Sequence, residues 1–129
     1  MKKIFGIGTD VVNHTRFKNI FKKKNLFKKR IFSKNEIIYC TKKNDSIASF
    51  AKRFAAKEAF SKALGTGIAK GLNFNEIEVK NNHQGKPEIV VKGKSLEIVK
   101  KILKKKKFKV FLSLSDDIPF IVATALITL

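Results

Sequence analysis

Tryptophan is absent from the 129 residues, cysteine occurs once, proline twice and acidic residues only ten times. A lone Cys40 excludes an internal disulfide, and with it a disulfide-stapled secreted scaffold, so the chain reads as cytoplasmic. No apolar run approaches the ~20 residues of a membrane-spanning helix. The basic start, "MKKIFGIGTDVV", lacks the sustained apolar core of a signal peptide, and Asp10 interrupts it. Nothing linker-like or repeated divides the sequence, so one domain is expected.

Hydrophobic residues make up 43% of the chain and include twelve phenylalanines, enough for a packed core. Lysine and arginine number 29 against ten acids, a net charge of +19. Only Arg16, Arg30 and Arg53 are arginines. Two readings fit this charge: an anionic partner, or compositional drift toward lysine alongside isoleucine, phenylalanine and asparagine. A surface shaped to grip phosphate favours arginine's planar fork, so the three arginine positions carry more information than the lysines.

Strands and helices alternate without a regular βαβ rhythm, which predicts an α+β fold. Residues 2–12 read as a strand with glycines inside it. Residues 14–32 carry Phe17, Ile20 and Phe21 at helical spacing among lysines. Ser33 and Glu36 stand at capping-box spacing for a short helix. Asp45 is placed to cap a long helix over 46–64, and a glycine-rich loop, "GTGIAKGLNF", follows it. Segments 76–80 and 87–92 flank "NNHQGK" as a hairpin. Residues 95–107 form an amphipathic helix with a basic outer face, and 109–115 and 120–128 are two further strands.

Two acids interrupt this pattern. At about 100° per residue, Glu58 falls about 20° from Ile47, inside the apolar stripe made by Phe50, Ala51, Phe54 and Ala55. Arg53 and Lys57 point away on this wheel. Lys62 lies one turn past Glu58, where a simple ion pair would satisfy both. On the first strand Gly6, Gly8, Asp10 and Val12 share one face, while Phe5, Ile7, Thr9 and Val11 make an ordinary core face. Glycines beside Asp10 mark a close approach by a ligand or by another backbone. A carboxylate from strand and helix together suits Mg²⁺, which takes one or two protein carboxylates plus phosphate oxygens. Lys62 and the glycine-rich loop suit those phosphates. The loop follows a helix, so it is neither a dinucleotide nor a Walker loop.

The stretches "GIGTDVV" and "RFAAKEAFSKALGTGI" resemble holo-acyl-carrier-protein synthases, the small bacterial 4′-phosphopantetheinyl transferases. "GLNFNEIEV", "GKPEI" and "LSLSDDIPFIVATALI" extend the resemblance in order over nearly the whole chain. It implies the phosphopantetheinyl transferase fold, a mixed antiparallel sheet against a long helix, in trimers with active sites at subunit interfaces. It implies transfer of 4′-phosphopantetheine from coenzyme A to a serine of apo-acyl carrier protein, releasing adenosine 3′,5′-bisphosphate, in fatty acid biosynthesis. Asp10 and Glu58 would bind Mg²⁺, with Lys62 on the pyrophosphate, and these three would be catalytic. Lys62, Gly65, Thr66, Gly67, Lys86 and Pro87 would contact the coenzyme. Arg16 would face the acidic carrier protein, with Lys18 and Lys22–24 extending its positive surface. Two departures stand out: Asn13 where the family often has Glu, and Asp116 where many members carry His. His14 and His83 read as surface residues, and Cys40 as a buried hydrophobe.

Two other readings compete. A nucleic-acid-binding protein would explain the charge and the lysines interleaved with phenylalanine, but it leaves Asp10 and Glu58 unexplained. An inactive relative that only binds the carrier would have no need of the intact acids and Lys62. The expected partners are therefore apo-acyl carrier protein and coenzyme A, not nucleic acid or membrane.

Overall fold

The computed structural model describes residues 3–66 and 71–129. Ten main elements follow one another: β1 (Ile4–Asn13), α1 (His14–Lys23), α2 (Phe27–Ile31), α3 (Lys34–Thr41), α4 (Ser46–Leu64), β2 (Ile77–Asn81), β3 (Pro87–Val91), α5 (Gly93–Leu103), β4 (Lys109–Asp117) and β5 (Phe120–Thr128). β1, β5 and β4 form an antiparallel sheet in that order, and β2 and β3 form a separate hairpin. No helix among the described residues is long and apolar enough to cross a membrane.

Local chemistry sets the helix ends. Ser33 and Glu36 complete a reciprocal capping box on α3, with Ser33 N–H on Glu36 Oε1 at 2.9 Å and Glu36 N–H on Ser33 Oγ at 3.2 Å. Asp45 caps α4 by accepting from the Ala48 N–H at 3.0 Å. Gly65 ends α4 in the left-handed region, φ 84°, which a residue without Cβ adopts freely. α5 stops at Leu103, so Lys105–Lys107, expected to be helical, lie beyond it. Residues 14–32 form two helices rather than one continuous element, with the break at Lys24–Leu26.

α4 lies across the glycine face of β1. A methyl group on Gly6 would run into the Ala63 carbonyl, and one on Gly8 into that of Ala59. The close approach marked by these glycines is therefore made by helix backbone. This reverses the expected sheet faces. Ile7 and Val11 are 66% and 59% exposed, and Phe5 and Phe111 are open to solvent as well. The strip read as a core face thus points outward, because the helix occupies the other side.

A second correction concerns α4 itself. Arg53 and Lys57 do not point to solvent; they are 5% and 0% exposed. A helical wheel assumes one covered face, but α3 and the β2–β3 hairpin close over the far side. Seven phenylalanines complete the packing. Phe17 and Phe21 of α1 reach Phe54 and Phe50 with ring centres 5.6 and 4.7 Å apart, while Phe27, Phe32 and Phe74 join their edges. This aromatic cluster fixes the basic α1–α2 segment beside Glu58.

Candidate active site

Asp10 and Glu58 line one cleft of about 470 Å³ between β1, α1 and α4, together with Arg16, Phe17 and Phe54. Glu58 is half-buried, and its carboxyl is pushed above the usual range. Burial is the larger cause and the nearby Asp10 charge the second, with Lys62 pulling the other way. The expected Glu58–Lys62 ion pair does not form. Lys62 instead reaches across to β1, with Nζ 3.0 Å from Asp10 Oδ1 and 3.0 Å from the Thr9 carbonyl. The glycine contacts bring the strand near enough for that crossing.

No cluster of three or more ligating acids, histidines or cysteines exists among the described residues. The two carboxylates are hard oxygen donors lining one cleft, and the Asp10 charge adds to the cost of ionising Glu58. A divalent cation relieves that cost, and phosphate oxygens and water would complete its shell. The donor set fits Mg²⁺.

A larger cleft of about 760 Å³ lies elsewhere on the protomer. Lys86 and Pro87 line it, as do Lys43, Lys52, Arg53 and Asp116. Gly65 is exposed and Thr66 half-buried at the end of α4, but neither lines this cleft, and Gly67 falls outside the described residues. Sequence reasoning missed Arg53, Lys43 and Lys52 here. The available signal was arginine in a lysine-rich chain. Arg16 lines the carboxylate cleft, Arg53 the larger one, and Arg30 a third of about 430 Å³ that borders the other side of Glu58.

Arg16 is exposed, and its N–H is accepted by Asn13 Oδ1 at 3.1 Å, so Asn13 serves as the cap of α1. His83 is exposed, whereas His14 is half-buried and lies 3.4 Å from Asp45. Cys40 is fully buried, and burial raises its thiol pKa, which suits a core residue.

The model of the 4′-phosphopantetheinyl transferase superfamily matches residues 6–119. A holo-[acyl-carrier-protein] synthase of Pelagibacter ubique is 46% identical over 121 residues, 94% of each chain. The crystal structure of holo-[acyl-carrier-protein] synthase from Neisseria meningitidis superposes with a TM-score of 0.84 at 34% identity, covering 97% of this chain and 98% of that one. That from Bacillus anthracis, in complex with coenzyme A (3′,5′-ADP), gives 0.78 at 35% identity, covering 97% and 96%.

Proposed function

Because this chain belongs to the 4′-phosphopantetheinyl transferase superfamily, we propose that Asp10, Glu58 and Lys62 handle the coenzyme A pyrophosphate at the β1–α4 cleft. The chain is a holo-acyl-carrier-protein synthase: it moves 4′-phosphopantetheine from coenzyme A to a serine of apo-acyl carrier protein, in fatty acid biosynthesis. The serine oxygen bonds to the phosphorus bearing the pantetheine arm. The bond from that phosphorus to the bridging oxygen breaks, and adenosine 3′,5′-bisphosphate leaves.

One observation carries the assignment of residues: two acids from separate segments share one cleft, and Lys62 is bonded to one of them, Asp10. Asp10 and Glu58 would hold Mg²⁺ through carboxylate oxygens. When bound, the ion neutralises charge building on the pyrophosphate. Lys62 is 51% exposed and turns from Asp10 to a phosphate oxygen, adding a second positive charge. The serine proton passes through water to Asp10 or Glu58, the acids that line this cleft. Arg16, at the same cleft, and the exposed Lys18 and Lys22–24 meet the acidic carrier and speed encounter.

The nucleotide end binds in the larger cleft, against Lys86, Pro87 and the cations beside them. No described residue lines both clefts. That separation supports one coenzyme spanning the carboxylates of one copy and the nucleotide cleft of a neighbour, in a homotrimer. The exposed apolar face of Ile7, Val11 and Phe111 supports such self-association. A cytoplasmic setting belongs to the same proposal and rests on lone, buried Cys40.

Incubation with coenzyme A, Mg²⁺ and an apo-carrier protein is expected to raise the carrier mass by one phosphopantetheine arm. An unchanged mass, with a carrier that a known transferase loads, overturns this function.

A further inference from the structure

The larger cleft places two acids among cationic side chains. Arg53 donates to Asn81 Oδ1 at 2.7 Å, and its guanidinium carbon lies 4.2 Å from the Tyr39 ring centre. Lys43 Nζ stands 4.5 Å from the same ring. Two cations on one ring repel each other, and an anionic ligand offsets that repulsion. Asp45 is committed to capping α4. Asp116 has a different role available. Its Oδ2 lies 2.8 Å from Lys52 Nζ, and the Lys52 and Asp116 side chains are 34% and 38% exposed. An acid is out of place where the ligand itself carries phosphate.

Coenzyme A has three phosphates. Two form the pyrophosphate that reacts beside Asp10, Glu58 and Lys62. The third, on the ribose 3′ oxygen, stays with the nucleotide product and needs cations elsewhere. The geometry points to Asp116 as an internal competitor of that ribose phosphate for Lys52. With the cleft empty, the carboxylate holds the ammonium. With nucleotide bound, Lys52 turns to the phosphate and Asp116 repels it. As the product leaves, the carboxylate takes Lys52 back. Asp116 thus weakens nucleotide binding and eases release of adenosine 3′,5′-bisphosphate. The opposite role, holding Lys52 ready for phosphate, is the smaller effect, because ordering by a partly exposed ion pair contributes little. A negative charge beside a doubly charged phosphate acts whether or not the lysine is ordered.

This inference rests on the nucleotide occupying this cleft, and calorimetric titration tests the two separately. Adenosine 3′,5′-bisphosphate and adenosine 5′-monophosphate are titrated into wild type, Asp116→Asn, Lys52→Met and the double variant. Wild type is expected to bind the bisphosphate more tightly. Asp116→Asn tightens the bisphosphate by about fivefold, the scale of one surface ion pair, and leaves the monophosphate unchanged. In the Lys52→Met background the Asn substitution has a smaller effect. If neither wild type nor Asp116→Asn binds the bisphosphate more tightly than the monophosphate, the placement of the nucleotide fails and the inference with it. If wild type discriminates but Asp116→Asn binds the bisphosphate no tighter, or tightens both nucleotides equally, the inference alone is overturned. Asparagine matches aspartate in size, and thermal unfolding checks that each variant is folded.

Discussion

Glu58 is destabilising where it stands. Burial and the Asp10 charge both disfavour its charged form. The folded chain therefore holds this proton more tightly than the unfolded chain does. Its contribution to stability is greatest below the ordinary carboxylate value of 4.5 and is lost as pH rises through and beyond it. Glu58→Gln removes that penalty. In metal-free protein the variant should melt higher than wild type at pH 7, with the gap closing as pH falls toward 4.5, which calorimetry at the two pH values measures. Turnover should fall by roughly 10²-fold or more, since a carboxylate that would hold the charge-neutralising ion is gone. A gain in stability paired with a loss in rate separates a functional acid from a structural one. A variant of wild-type rate would remove Glu58 from the chemistry. The two acids were legible because each breaks an apolar pattern. The partner of Lys62 was not, because i,i+4 spacing knows only its own helix, whereas Gly6 and Gly8 let a strand come closer than the next turn.

At the level of the element, α4 shows where periodicity stops informing. Its caps and both ends follow from Asp45 and Gly65 alone. The fate of Lys57 does not, because it depends on segments distant in sequence that cover the helix's other side. Lys57 Nζ donates to Glu36 Oε1 at 2.6 Å and to the carbonyls of Ile31 and Phe74 at 2.6 and 2.8 Å, using all three of its hydrogens. Glu36 accepts as well from the Ser33 and Val79 N–H groups. The network ties α3, α4 and β2 together and fixes the rotation of α4 that turns Glu58 toward its cleft. Burial lowers the Lys57 pKa and the Glu36 charge opposes this, so the pair is held by complete hydrogen bonding rather than by a favourable medium. Lys57→Met should cost about 3–5 kcal/mol, the penalty for a buried charge left without its partner. Lys57→Met with Glu36→Leu should lose less than the sum of the two single changes, as urea unfolding will show. Additive losses would mean the two side chains act independently.

For the whole molecule, the alternation of Phe5, Ile7, Thr9 and Val11 reads as a core face, yet one chain leaves it exposed. A sequence specifies which surfaces avoid water without saying whether the same chain or a second copy shields them. The separation of the two clefts belongs to this scale too. If each catalytic unit takes its carboxylates from one protomer and its nucleotide cleft from the next, two dead variants should complement each other. Asp10→Asn spoils only the carboxylates, and Lys86→Glu reverses a charge only in the nucleotide cleft. In a mixed trimer, a Lys86→Glu protomer beside an Asp10→Asn protomer forms one junction with both halves intact. Each homotrimer should be nearly inactive, and unfolding, mixing and refolding the two together should restore a clear fraction of wild-type turnover. The mixture should migrate at the mass of three protomers. If both halves of a site came from one chain, every site in the mixture would carry one defect, and the mixture would remain as inactive as its parents.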